Sequence, residues 1–342
     1  MTRLSTKLTS LLLRLALLCL WATAAFAQFE RPGTAVPEDS GMSDQKAGSV
    51  LVYNLYSSKT TDPTAENTRL SLTNMSGEEG VFVNLFFLNG TDPGTYQLHS
   101  VRLEPRHTVT LFAAEIDPDV TGYVIAVAVD ETGVPVNFNH LTGEAFVKLA
   151  SGHQAKYNAE AIAAIKKKFR ADGAIARLNF DGKDFNLVPR ALSWANIPSL
   201  LDGYAMILVV NRLGRDLTTT NAGFGILGQL FDTLGDDHSG QPFTFIQSSG
   251  GAQLRRALQN GVFPRIPTGI NGRIPAGKTG WMQFWVSNAD VGISGLALIA
   301  HPGGSTTSTV PVGFTGGANL HHATLTEDFL TIPVTPPVII TE

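Results

Sequence analysis

The sequence has 342 residues, 25 basic and 29 acidic, for a net charge of −4. Its first 27 residues read as an export leader; without Arg3, Lys7 and Arg14, 22 basic face 29 acidic residues, a net −7 that disfavours a nucleic-acid binder or a polybasic membrane binder. With 43% hydrophobic and 16% charged residues, the composition fits a chain that buries cores and excludes a disordered one.

Arg3 and Lys7 form a positive start, Leu15 to Ala25 an uncharged run, and Ala25-Phe26-Ala27 a small-x-small cleavage pattern before Gln28. The apolar run after Arg14 is about thirteen residues, short of the ~20 that a spanning helix needs, so cleavage is expected and no transmembrane anchor after it. The only cysteine, Cys19, lies in this leader with Leu18 before it, where lipid attachment would want a small residue. The remaining 315 residues (342 less 27) therefore offer no disulfide, thiolate metal ligand or cysteine nucleophile.

Residues 28–47 are polar and broken by Pro32, Gly33, Pro37 and Gly41, a loose N-terminal arm. Short apolar runs then recur between turn formers at 49–56, 69–74, 80–88, 97–103, 107–113, 122–129 and 134–141, the spacing of a β-sandwich. Asn89-Gly90, Pro93-Gly94 and Asp130-Glu-Thr-Gly133 supply the reversals. Over 154–171, Tyr157, Ala161, Ile162, Ile165 and Phe169 fit one face of an amphipathic helix, with Lys166, Lys167, Lys168 and Arg170 at its C-terminal end, where cations complement the helix dipole. Ile175–Phe180 and Phe185–Val188 around Asp181-Gly182-Lys183-Asp184 read as a hairpin.

Strands are expected again at 204–212, 223–231, 242–247, 280–287 and 294–301, with a helix-compatible piece at 252–258. Phe329 to Val334 adds a last strand before Pro336-Pro337. The expected fold is mainly β: two β-sandwich domains, immunoglobulin-like or related, over 48–190 and 191–342, the first holding the intervening helix and the second ending in a Thr/Gly/Pro-rich tail. Two internal echoes suggest duplication. Arg102 to Ala126 resembles Arg273 to Ile299 at an offset of 170–173 residues, and Ser71-Leu-Thr-Asn74 resembles Leu208-Val-Val-Asn211 at an offset of 137 (208 less 71).

The phrases Gly48-Ser-Val-Leu-Val-Tyr53, Thr68-Arg-Leu-Ser-Leu-Thr-Asn74, Thr121-Gly-Tyr-Val-Ile-Ala-Val-Ala-Val-Asp130, Ser151-Gly-His153 and Gly317-Ala-Asn-Leu-His-His322 carry a resemblance over most of the exported part. The chain resembles uncharacterised exported bacterial β-rich proteins. The resemblance implies compartment and fold; it transfers no activity and no site residue.

Chemistry is sparse. None of Ser151, Ser239, Ser248, Ser249 or Ser294 has the flanking glycines of a hydrolase elbow. Gly272-Arg-Ile-Pro-Ala-Gly277-Lys278-Thr279 matches the letters of a phosphate loop, but a strand-like run follows where that loop needs a helix, so it reads as a turn. Asp117-Pro-Asp119-Val-Thr121-Gly122 begins like a calcium loop, yet its twelfth position is Ala128. His153 reads as a capping residue, and Glu144 and Glu160 as solvated carboxylates. The candidate metal ligands are His238, His321 and His322, brought from distant loops. The candidate ligand-binding residues are Trp281, Gln283 and Trp285, which share one face of a strand and would stack on sugar rings. No cofactor is implied, with calcium or zinc left open. The expected function is an exported non-catalytic structural or interaction protein of the envelope or extracellular space, with a glycan or protein partner. Its alternatives are a carbohydrate-binding protein using the aromatic strand face and a metal-assisted hydrolase.

Overall fold

Runs of β-branched and aromatic residues between turn formers become strands in the computed structural model, which describes residues 34–35, 41–90, 95–149, 154–199, 202, 204–219, 224–232, 241–247, 274–286, 291–300 and 314–339. The first half contributes β1 (Thr34–Ala35), β2 (Val50–Ser57), β3 (Asn67–Asn74), β4 (Val81–Asn89), β5 (Tyr96–Leu103), β6 (Thr108–Phe112), α1 (Ala113–Ile116), β7 (Thr121–Val129) and β8 (Leu141–Lys148). Next come β9 (Gln154–Asn158), β10 (Glu160–Ile162), β11 (Ile175–Phe180), β12 (Val188–Pro198), β13 (Ala205–Arg212) and β14 (Arg215–Asp216). The chain closes with β15 (Phe224–Asp232), β16 (Gln241–Gln247), β17 (Thr279–Val286), β18 (Ile293–Ala300), β19 (Phe314–Asn319), β20 (His321–Thr326) and β21 (Asp328–Pro333).

The fold is mainly β, in several antiparallel sheets. A five-stranded sheet runs β10-β2-β7-β4-β5 and a four-stranded sheet β6-β3-β8-β9. A six-stranded sheet runs β1-β20-β12-β17-β15-β16 and a three-stranded sheet β13-β18-β19, while β11-β21-β14 ties residues 175–180 to the end of the chain. The neighbour orders of the two halves match: β10-β2-β7-β4-β5 reads like β20-β12-β17-β15-β16, and β3-β8-β9 like β13-β18-β19. Register follows, with Leu72 opposite Gly143 in one pair and Val210 opposite Gly295 in the other. At both glycines a Cβ would come within 2.9 Å of a carbonyl on the partner strand, Ser71 or Val209. The echo of Asn74 in Asn211 lies on equivalent strands, β3 and β13. The longer echo equates β7 with β18, which hold different places in the sheets.

Every residue of β2 is buried, because both its faces are covered. The Tyr53 hydroxyl donates to the Ser71 carbonyl of β3 at 3.0 Å, whereas the next side chain, Asn54, points the other way and donates to Gly295 of β18 at 3.4 Å. The β13-β18-β19 sheet is shared in the same alternating manner. Ile207, Val209, Leu296 and Leu298 join the large core that holds β2 and β7, while Leu208, Val210, Ile293 and Ala297 join a second core with Leu192 and Phe284. Removing the fully buried Phe284 ring is expected to cost about 3–5 kcal/mol in urea unfolding, the range for emptying such a site.

Several expectations are corrected. The helix over 154–171 is absent: 154–162 form β9 and β10, and 163–171 hold no helix. The reason is geometric, since Tyr157 and Ala161 are four residues apart, which is one helical turn and also two strand repeats. Ala155, Tyr157, Ala159 and Ala161 are buried while Gln154, Lys156 and Asn158 are exposed, the period of a strand. The run at 134–141 is a loop with a single bridge at Pro135, and the strand follows at 141–148. Residues 175–180 form a strand, but its ladder is with β21 rather than with 185–188. The last residues of the arm are tied down, with Ser43 bridged to Ala161 and Met42 buried. Residues 1–27 and 252–258 lie outside the described residues. Among the described residues no helix is long and apolar enough to cross a membrane.

Candidate functional site

The strap 42–45 lies where β9, β19 and β20 meet and walls a cavity of about 610 Å³. Its floor is polar. Glu160, at the start of β10, is 1% exposed, and its Oε1 lies 2.5 Å from Nε2 of His322 on β20. The other oxygen accepts from Asn54 Nδ2 at 2.6 Å. Asn54 Nδ2 also approaches Asn319 Oδ1 at 3.0 Å, and Asn211 Nδ2 donates to the Asn54 carbonyl at 2.8 Å and to its Oδ1 at 3.0 Å. Asn319 in turn donates to the Asn158 carbonyl at 2.8 Å and to Asp44 at 3.2 Å. A network thus joins β2, β10, β13, β19, β20 and the strap. Its logic is that of any buried polar group, which must recover inside the protein the hydrogen bonds it gave up in water.

Burial alone would depress the His322 imidazole. The Glu160 carboxylate outweighs it, helped by a hydrogen bond to the Met42 main chain and by Asp44, and holds the group above its ordinary value. Because the folded value exceeds the unfolded one of roughly 6.5, the imidazolium's stabilisation is complete below that pH and is lost as pH rises through the folded value. Urea midpoints are therefore expected to fall as pH rises above roughly 6.5, and His322→Gln to flatten that slope. His99, held low by burial, acts in the opposite sense, so the comparison with His322→Gln isolates the pair.

The neighbouring phenols are also committed. Tyr157 donates to the Leu55 carbonyl and accepts from the Leu55 N–H at 2.8 Å; burial holds it far above its usual range despite the Leu55 bond. Burial, with the Glu144 charge adding to it, does the same to Tyr53. Among the described residues no group of three or more His, Cys, Asp or Glu is placed to hold a metal ion. Asp117 accepts from Tyr56 at 2.5 Å, and Asp119 from Thr60 at 2.6 Å, so both carboxylates of the calcium-like run have protein partners.

Of the sequence candidates, His321 and His322 both line the cavity, His321 exposed and His322 largely covered, while His238 lies outside the described residues, as does His153. Trp281, Gln283 and Trp285 sit on β17 between β12 and β15. Trp281 is 39% exposed, but Gln283 and Trp285 are buried, at 9% and 2%. Gly277 in the phosphate-loop-like run has φ 72° in a turn, its N–H bound to Asp202 at 2.8 Å, and β17 leaves that turn directly. The reading of Glu160 as solvated is corrected: it is the most enclosed charge of the network. Asn54 was the available signal, an amide inside the apolar run Val50–Tyr56.

No protein-family model matches the chain, and none of the curated proteins matches it.

Proposed function

We propose that the chain is an exported, non-catalytic structural or interaction protein of the cell envelope or extracellular space. One observation carries the non-catalytic part: Glu160 and His322, the titratable pair beneath the cavity, spend their hydrogen bonds on Asn54, on each other and on the strap. A general base must instead present a free acceptor to substrate. Export rests on the leader pattern of residues 1–27 and the cysteine-free remainder. The finer architecture we propose is two sandwich units, one from residue 48 through β10 and one from β12 onward, supported by their matching strand orders. Purified protein is expected to show no turnover on panels of glycans, esters and peptides; turnover on any of them would overturn the reading.

A further inference from the structure

The outer face of the β6-β3-β8-β9 sheet carries side chains in rows. Thr108, Thr73 and Thr142 stand in register across three strands, with the Thr73 and Thr108 hydroxyls 2.8 Å apart. The next row is Thr110, Ser71, Glu144 and Asn158, and the one after it Phe112, Arg69 and Phe146. Residues 44–46, where the strap runs on, line with the first two rows a second, open cavity of about 450 Å³, whose walls include Ser71, Thr73, Thr108 and Thr142 with Asp44, Lys46 and Glu144 as its charged groups.

We propose that this face binds an uncharged saccharide, its hydroxyls held by the serine and threonine rows and by the two carboxylates, with the Phe112 ring as the stacking wall. The lining selects that chemistry. Hydroxyls both donate and accept, as sugar hydroxyls do, and carboxylates accept from them. An anion is disfavoured, because two carboxylates, Asp44 and Glu144, line the space against one cation, Lys46. Among the described residues no third carboxylate or imidazole joins Asp44 and Glu144 to hold a divalent cation. An apolar ligand would strip water from the hydroxyls without replacing it. Strands ~4.8 Å apart with same-face residues ~6.7 Å apart along each give a regular grid for a repeating polymer. Phe112 is 41% exposed at the edge of that grid, and an aromatic face stacks on the apolar side of a sugar ring. The proposal deepens the interaction-protein reading by naming its partner class, and places the site away from Trp281.

The test is retention of the full chain on immobilised neutral oligosaccharides of glucose, xylose, mannose and N-acetylglucosamine and on acidic oligosaccharides of uronic acids, followed by calorimetry on any ligand retained. Thr73→Val with Thr142→Val keeps strand-compatible shapes and is expected to weaken binding about tenfold or more, as is Phe112→Ala, with Trp281→Ala unchanged. Ligand should also slow hydrogen exchange in β3 and β8 of the unaltered protein, a readout that needs no variant. Retention of no neutral sugar, retention of acidic ones only, or binding lost in Trp281→Ala but kept in the threonine pair would overturn the proposal. None of these outcomes touches the non-catalytic reading, which turnover alone overturns.

Discussion

Gly122→Ala is expected to abolish soluble expression or to lower unfolding free energy by at least about 3 kcal/mol. Gly122 enters β7 between β2 and β4, opposite Tyr56 and Asn89. A Cβ there would lie 1.8 Å from the Leu88 carbonyl and 3.0 Å from the Tyr56 ring. The obstacle is main chain held in a sheet, so relief requires β7 and β4 to separate, which breaks the ladder at the centre of the five-stranded sheet. Gly173 is the control: no atom lies within 4 Å of its added Cβ, although its φ of 61° makes any side chain mildly strained. Urea unfolding of the two variants should therefore give a large loss at 122 and a loss near 1 kcal/mol, order of magnitude, at 173. Equal losses would mean that the close approach of Leu88 does not constrain the strand.

Glu160→Ala is expected to cost about 3 kcal/mol or more at about pH 6, because it strands a buried imidazolium and leaves the Asn54 amide without its closest acceptor. Glu160→Gln keeps an acceptor for Asn54 and removes the charge, so a smaller loss and a flatter pH dependence are expected. Equilibrium unfolding followed by tryptophan fluorescence measures both. A loss within about 0.5 kcal/mol for Glu160→Ala, the range for ordinary surface positions, would show that the carboxylate is not the joint its geometry describes.

Much of the strand layout is legible in the sequence because turn formers bracket apolar runs. Gly90 and Asp130 bound β4 and β7 within a residue of where the pattern places them. Where it misleads, two patterns coincide. Val134, Val136 and Phe138 alternate like a strand yet lie in a loop, while Thr142-Gly143-Glu144 looks like a turn and lies within β8, where Gly143 makes room for the Tyr53 hydroxyl. Strand β12 is hidden by Pro189 and Pro198 and by an irregularity between Trp194 and Ile197, where Asn196 takes φ 56°. Strand β19 is hidden by Gly316-Gly317. The candidate site is less legible for a different reason. His322 stands out in the sequence, but its partner Glu160 is 162 residues away, and Asn54, Asn211 and Asn319 come from three further strands. Only the stacking of the sheets places these groups together, and no local spacing records it.

A double-mutant cycle at Glu160 and His322 is the most direct measurement of whether polar groups here serve cohesion rather than reaction. With Glu160→Gln, His322→Gln and their combination unfolded in urea at about pH 6, the predicted coupling is about 1–3 kcal/mol, stabilising in the unaltered protein, with turnover absent from all four proteins. Additive losses, or catalysis that disappears with either residue while stability holds, would contradict the account.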